Sequence, residues 1–338
     1  MTAAPAPTAL AGPFRQLLTQ VAQIYFARSA LTGLVIVLAL AVVQPWAAVG
    51  LGWASLVALA VSRMAGLDRA SAEAGLYGYN AALTGAGLLS MFAPDPRVFV
   101  YLTVVSAVGA LISARWLRWG RLPLLTSLFV LAMWGALALG DRLGESLTPL
   151  GCPDGVAMVP CGIGQVTFIA GALPGLCVWL AIVGFAPRAG LWLGIGAAIG
   201  GGAGLLWAPG QAIGLAVNVG LTMQGLTVFD RSALIRVLGG VLAAGLGLAA
   251  AWSGLAYFTA PFIVATWALS AALGAGAAGR EAHREGRALD RVADGEQLAA
   301  KQLAEAVGAE DDRAPALAQD RGELVAGDRD HAPRRAVS

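Results

Sequence analysis

Four uncharged polar side chains and two phenylalanines recur in this sequence at matched spacings. Gln23 and Phe26 are three residues apart, and so are Gln165 and Phe168. On a helix that spacing sets an amide beside an aromatic ring on one face. A glutamine offers a carbonyl acceptor and two N–H donors, and a threonine hydroxyl can do either job. Thr126 and Thr259 stand at corresponding places further along. Such groups can replace the water shell of a neutral, hydrogen-bonding solute without holding a charge. Walled by Phe26, Phe168, Leu83 and Leu221, they would form a symmetric hydrogen-bonding passage. Asn80 and Asn218 read as structural, holding a helix break or an interhelical hydrogen bond. The competing reading has the glutamines capping helices and the threonines bonding back to their own helix. Recurrence in pairs favours the passage.

The surrounding chain is built for a membrane. Of 338 residues, 58% are hydrophobic and 12% charged, about half the charge of an ordinary soluble domain, and the mean hydropathy is +0.72. The charges are concentrated from Ala277 to Ser338, where ten Lys/Arg and thirteen Asp/Glu fall, against twelve and seven in the residues before. Roughly ten apolar stretches divide the body at Pro, Gly and Arg: about 30–44, 46–62, 74–92, 98–114 and 122–139, then 173–186, 189–206, 211–228, 236–251 and 257–276. They contain no Lys, His or Asp, and Glu73 sits only at an edge. Proton relays and cation-coupled pumps depend on buried ionisable groups, so the expected permeant is neutral. No metal site, cofactor or nucleic-acid patch is expected: both histidines lie in the tail and the positives are dispersed.

With the N-terminus cytoplasmic, the inner loops collect Arg63, Arg69, Arg115, Arg118, Arg121, Arg188, Arg231 and Arg236, and the outer loops only Arg97 and Arg142. The expected organisation is an N-terminal cytoplasmic segment (1–22), a first transmembrane repeat (23–139), an extracytoplasmic linker (140–164), a second repeat (165–276) and a charged cytoplasmic tail (277–338). The start, MTAAPAPTALAGPFRQ, lacks the pattern of a cleavable signal peptide. Cys152 and Cys161 fall in the linker, where they could close a disulfide or stay unpaired. The tail reads as a solvated extension with one polar helix, or as a docking or regulatory element.

Three blocks recur in the same order. AQIYFARSALTGL from Ala22 matches GQVTFIAGALPGL from Gly164 at an offset of 142. NAALT from Asn80 matches NVGLT from Asn218 at 138, and LTSLFVLAMW matches FTAPFIVATW at 133, aligning Thr126 with Thr259, Phe129 with Phe262 and Trp134 with Trp267. An odd number of spans per half makes the second copy cross in the opposite sense. The fold expected is therefore an all-α membrane protein of two inverted repeats, about five transmembrane helices each, with broken or re-entrant half-helices around a central pore.

These blocks resemble the urea transporters, which carry Q-x-x-F leading into N-P-x-x-G-L, then G-L-x-G-[YF]-N-x-x-L, then L-P-x-x-T-x-P-F in each half. Here QIYFARSALTGL, GLYGYNAAL and LPLLTSLF stand for one set, and QVTFIAGALPGL, IGLAVNVGL and AYFTAPF for the other. Departures are Ser29-Ala30 and Gly171-Ala172 for Asn-Pro, Ala216-Val217-Asn218 for Gly-aromatic-Asn, and Ser127-Leu128 before Phe129. The resemblance implies a homotrimer in the cytoplasmic membrane with one pore per protomer, passing urea passively in single file. It implies Gln23 and Gln165 at the two pore ends and Phe26, Phe168, Leu83 and Leu221 in the slots, with Thr126 and Thr259 in the narrow middle. The alternatives are a channel for short-chain amides or ammonia, the latter lacking the histidine pair such channels use, and a membrane anchor with a partner-binding tail. No enzyme is expected, since no nucleophile–base pair lies in the spans.

Overall fold

Prolines and short polar residues begin many of the helices. The computed structural model describes residues 11–273 apart from 149 and 154. The charged tail and its expected helix lie outside the described residues, as do the first ten. Helix α1 (Ala11–Ala22) runs into a tight turn, Gln23–Tyr25, and α2 (Ala30–Val43) follows under the cap of Ser29, whose Oγ accepts from Thr32 N at 3.2 Å. Pro45 opens α3 (Pro45–Met64) at a position where its missing N–H costs nothing. Then come α4 (Arg69–Glu73), α5 (Tyr79–Met91), α6 (Pro96–Trp119) and α7 (Ser127–Leu139). Asp95 caps α6 through Arg97 N at 2.8 Å. The second half has α8 (Met158–Gln165), α9 (Ala172–Phe185), α10 (Pro187–Trp207), α11 (Ala212–Val228), α12 (Ala233–Trp252) and α13 (Ala260–Ala272).

Among the described residues, only α3, α6, α10 and α12, with 20, 24, 21 and 20 residues, are long and apolar enough to cross a membrane singly. At 1.5 Å per residue they span about 30 Å or more, the thickness of the hydrocarbon layer. The other stretches read as spans are shorter. Helices α5, α7 and α13 have 13 residues and α2 and α9 have 14, or about 20 Å. The roughly ten apolar stretches read from the sequence are thus four full-length helices and a set of shorter ones. The stretch read as 122–139 begins as helix only at Ser127, and that read as 257–276 only at Ala260. Two further helices, α1 and α8, lie outside the stretches read as spans. The segment Gly12–Tyr25 meets α2 at 82°, a broken span or a re-entrant loop.

The outward faces are apolar to a degree that water would not tolerate: Val100 is 65% exposed, Leu173 71% and Val241 63%. The inward faces carry small and polar residues. Helix α3 lies along α5, and α10 along α11. Gly50 and Gly85 make the first of these crossings close, since a methyl group on either would run into the backbone of the other. Tyr25, Phe129, Phe262 and Leu83 are among the largest fully buried side chains. The linker returns to the end of α5, where Ala93 N donates to Glu145 O and Leu147 N to Met91 O, both at 2.8 Å. Of the two possibilities for the linker cysteines, the structure has the disulfide: Cys152 and Cys161 are bonded, with Cα atoms 5.8 Å apart.

Candidate functional site

The N-termini of α7 and α13 meet inside the protein. Thr126 and Thr259 immediately precede the two helices, are 3% and 4% exposed, and their hydroxyl oxygens lie 2.7 Å apart. One hydroxyl donates to the other. Neither side chain caps its own helix, and the pair lies between two helix N-termini, the positive ends of the helix dipoles.

Two asparagines hold the chain in that shape. Asn80 Nδ2 donates to Leu125 O at 2.9 Å, and Asn80 Oδ1 accepts from Phe129 N at 3.1 Å. Asn218 does the same on the other side, donating to Phe258 O at 2.7 Å and accepting from Phe262 N at 3.0 Å. Each amide therefore grips the backbone on both sides of one threonine. The gripped residues Leu125 and Phe258 have φ of 49° and 45°, a left-handed conformation that non-glycine residues adopt only when held. Leu83 and Leu221 lie three residues beyond the asparagines on α5 and α11, each 0% exposed.

Phe26 and Phe168 do not share a helical face with Gln23 and Gln165, as the spacing suggested. Each pair closes a turn at a helix break: Phe26 N donates to Gln23 O at 2.9 Å, Phe168 N to Gln165 O at 3.1 Å, and the phenylalanines have φ of 57° and 62°. The reversal throws their rings inward. Phe26 meets Phe262 edge to face at 6.3 Å, and Phe168 meets Phe129 at 6.1 Å. Gly87 leaves room for one of these rings, since a methyl there would stand 2.9 Å from Phe168 Cζ; at the matching Gly225, 138 residues on, a methyl would be in ordinary contact with Phe26 Cζ at 3.5 Å.

The two glutamines differ. Gln165 Nε2 donates to Leu150 O in the linker at 3.0 Å, whereas Gln23 Oε1 is buried with no hydrogen bond among the described residues. Four polar residues at the site escaped the sequence reading. Tyr25 OH donates to Ile163 O at 2.7 Å and lies 3.1 Å from Thr167 Oγ1. Tyr79 OH donates to Leu125 O at 2.6 Å. Gln44 Nε2 donates to Phe168 O at 2.7 Å, and Gln224 Nε2 to Tyr25 O at 2.9 Å, so each break has a carbonyl bound by a distant amide. Tyr25 and Thr167 stood at equivalent positions inside the two Q-x-x-F blocks, which was a usable signal; Gln44 and Gln224 have no such partners.

The arrangement is hydroxyls, amides, carbonyls and aromatic edges around a buried centre. Among the described residues, no group of three His, Cys, Asp or Glu is placed to hold a metal. A centre of this kind can exchange hydrogen bonds with a neutral solute, and it has nothing with which to compensate an ion stripped of water. A comparison with curated proteins gives no match. A comparison with protein families matches residues 14–274, well over half of the chain and all of the site, to the family described as UT, urea transporter. The family consists of transporters rather than enzymes, and its solute is a small neutral diamide of the kind this centre suits. The chain belongs to the urea transporter family.

Proposed function

We propose that the chain is a passive, channel-like pathway for urea whose narrow middle is the Thr126–Thr259 pair. The observation that carries this reading is that pair: two buried hydroxyls in contact, between two helix N-termini, flanked by matched phenylalanine pairs. Urea enters by replacing the hydroxyl–hydroxyl bond with bonds of its own, each threonine oxygen accepting from a urea N–H. The Phe26–Phe262 and Phe168–Phe129 pairs flatten the path on either side, with Leu83 and Leu221 behind them. Gln23 and Gln165 stand towards the two ends. No gradient is consumed, because no titrating or ion-binding group takes part.

The pathway lies between two inverted repeats. Reciprocal contacts support this. Trp134 Nε1 donates to Ala256 O at 2.6 Å and Trp267 Nε1 to Pro123 O at 2.7 Å; each tryptophan of one half binds the residue equivalent to its counterpart's acceptor. Phe26 with Phe262 and Phe168 with Phe129 repeat the pattern. Contacts in which i meets j′ and j meets i′ are those of a twofold axis. The protein works as a homotrimer in the cytoplasmic membrane, with both termini on the cytoplasmic side. The test is stopped-flow urea permeability of purified protein in liposomes. Flux without an ion gradient, electrically silent and falling from urea to acetamide to methylammonium, is expected. Strict dependence on sodium or protons would overturn the reading.

A further inference from the structure

Helix α6, at 24 residues, is about 36 Å long, so its last turn reaches past the hydrocarbon layer. That turn carries Arg118 and Trp119, with Arg115 one turn before Trp119 and Arg121 just beyond the helix. The Arg115 guanidinium lies 5.4 Å over the Trp119 ring. Cavities open on both sides of this stack. One, of about 520 Å³, is lined by Ile112, Arg115, Trp119 and Arg121 among others; the second, of about 220 Å³, by Leu67, Leu111, Arg115 and Arg118. The ion pairs among the described residues are Arg69–Glu73, Arg97–Asp95 and Arg188–Asp230, so none of these three arginines has a carboxylate within 4 Å. Asp68 feels the charge of Arg118, but its own hydrogen bond goes to Ser71 N.

Arginines near a helix C-terminus also favour the helix dipole, and arginines at a membrane boundary need only water. Neither role calls for two apolar-walled cavities around a cation–π stack. Nor does either explain the stripe that leads to them: Val104, Val108, Leu111 and Ile112 are 55%, 48%, 48% and 41% exposed along the same helix. An apolar track ending in two adjoining clefts that share Arg115, one bearing Arg121 and the other Arg118, matches a molecule with acyl chains and an anionic head.

We propose that the two cavities beside the Arg115–Trp119 stack form one binding site for an anionic phospholipid, its phosphate on Arg115, Arg118 and Arg121 and its chains along the exposed stripe of α6. A guanidinium engages a phosphate through paired N–H donors. The electrostatic preference at a membrane surface is about fivefold per arginine, so three together select an anionic over a zwitterionic lipid by about 100-fold.

The test uses the purified full chain in detergent, with phosphatidylglycerol and phosphatidylcholine of identical chains as probes and native mass spectrometry as the readout. Phosphatidylglycerol is expected to be retained about 100-fold more tightly, and the Arg115→Gln/Arg121→Gln variant to lose at least tenfold of that. Arg188→Gln, at an exposed arginine elsewhere, should bind as the parent does. Equal retention of the two lipids, or undiminished retention by the double variant, would overturn the proposal. So would inorganic phosphate raising the melting temperature as much as phosphatidylglycerol, which would make this a free-anion site. A cross-link between two Ile112→Cys protomers would give the stripe to a second copy and likewise overturn it. A second measurement needs no arginine variant: brominated phosphatidylglycerol should quench tryptophan fluorescence more than brominated phosphatidylcholine. That excess should vanish in the Trp116→Phe/Trp119→Phe variant, which removes both indoles lining the larger cavity; an unchanged excess refutes the site.

Discussion

Valine at Thr126 or Thr259 removes a hydroxyl and keeps the shape of the side chain, so its consequences can be worked out from one hydrogen bond. The two oxygens lie 2.7 Å apart at sites 3% and 4% exposed. A single valine leaves the other hydroxyl without that partner where little water can reach it, at a cost of about 1–3 kcal/mol in stability. Valine at both sites leaves no orphan and should cost less than about 1 kcal/mol. The two single costs would add to about 2–6 kcal/mol, so the double-mutant cycle closes with a coupling of at least about 1 kcal/mol and about 3 at the middle of the range, against additivity. Transport should behave otherwise. On the proposed pathway each hydroxyl lost removes one acceptor for a urea N–H, raising the barrier by about 1–1.5 kcal/mol and cutting permeability ~5- to 15-fold; loss of both should cut it ~30- to 150-fold. The double variant is thus expected to be the most stable of the three and the poorest transporter. Thermal unfolding in detergent and stopped-flow urea efflux per reconstituted protein measure the two rankings. Double-variant flux within twofold of the parent, or flux that follows stability across the series, would refute the reasoning.

The asparagines should be unequal. Asn218→Ala strips the hydrogen bonds to Gly214 O, Phe258 O and Phe262 N, whereas after Asn80→Ala the Leu125 carbonyl keeps Tyr79 OH; melting should fall by about 3 kcal/mol equivalent for the first and nearer 2 for the second, and the reverse order would count against the clamp. Reducing the Cys152–Cys161 bond, whose sequence separation is 9, should lower stability by about 2–3 kcal/mol on the chain-entropy account, read as a melting shift with reductant that Cys152→Ser no longer shows. Urea flux should be level between about pH 5 and pH 8, since the proposed path is neutral. The exposed Asp95 carboxylate, held at about 2 by its hydrogen bonds with Arg97, stays ionised throughout; its depressed value means that the cap is fully present above the ordinary carboxylate range and is lost only as pH falls towards 2. A bell-shaped flux profile in that window would expose a titrating group in the path.

Hydropathy was a good guide to where the chain is apolar and a poor one to how far each helix extends. The edges of α2, α3, α9, α10 and α11 lie within two residues of the apolar stretches, because Pro, Gly and Arg end both the helix and the hydropathy there. The stretches at 74–92, 122–139 and 257–276 ran too long for a different reason. Residues 120–126 and 253–259 are apolar but bind Asn80, Asn218 and the indoles of Trp116, Trp134 and Trp267 through backbone carbonyls, and a hydropathy window cannot tell a helix from an apolar loop satisfied by side chains. The i, i+3 spacing of Gln23 and Phe26 misled in the same way. It fits a helical face, and it fits equally a turn closed by Phe26 N and Gln23 O. Only the positive φ distinguishes them, and nothing in a phenylalanine announces it.

The drift of the repeat offset from 142 to 138 to 133 shows which parts of the chain tolerate change. The first step falls between α3 and α5, where the first half inserts α4 and the second has only the short turn Pro209–Gln211. The second step falls between α5 and α7, and most of it is the length of one helix: α6 has 24 residues against 20 for α12. A surplus turn on a full-length helix lengthens it along its axis and leaves its packing alone. The same surplus on α7 or α13 would lift a threonine by about 5 Å, past the reach of its partner 2.7 Å away. Lengths are therefore free where helices end outside the hydrocarbon and fixed where they end at the threonine pair, and α7 and α13 have 13 residues each. Inserting four alanines after Leu117 in α6 should leave urea flux within about threefold of the parent, and the same insertion after Phe129 in α7 should abolish it. Equal losses would mean that the helix ends at the centre are not what sets the path.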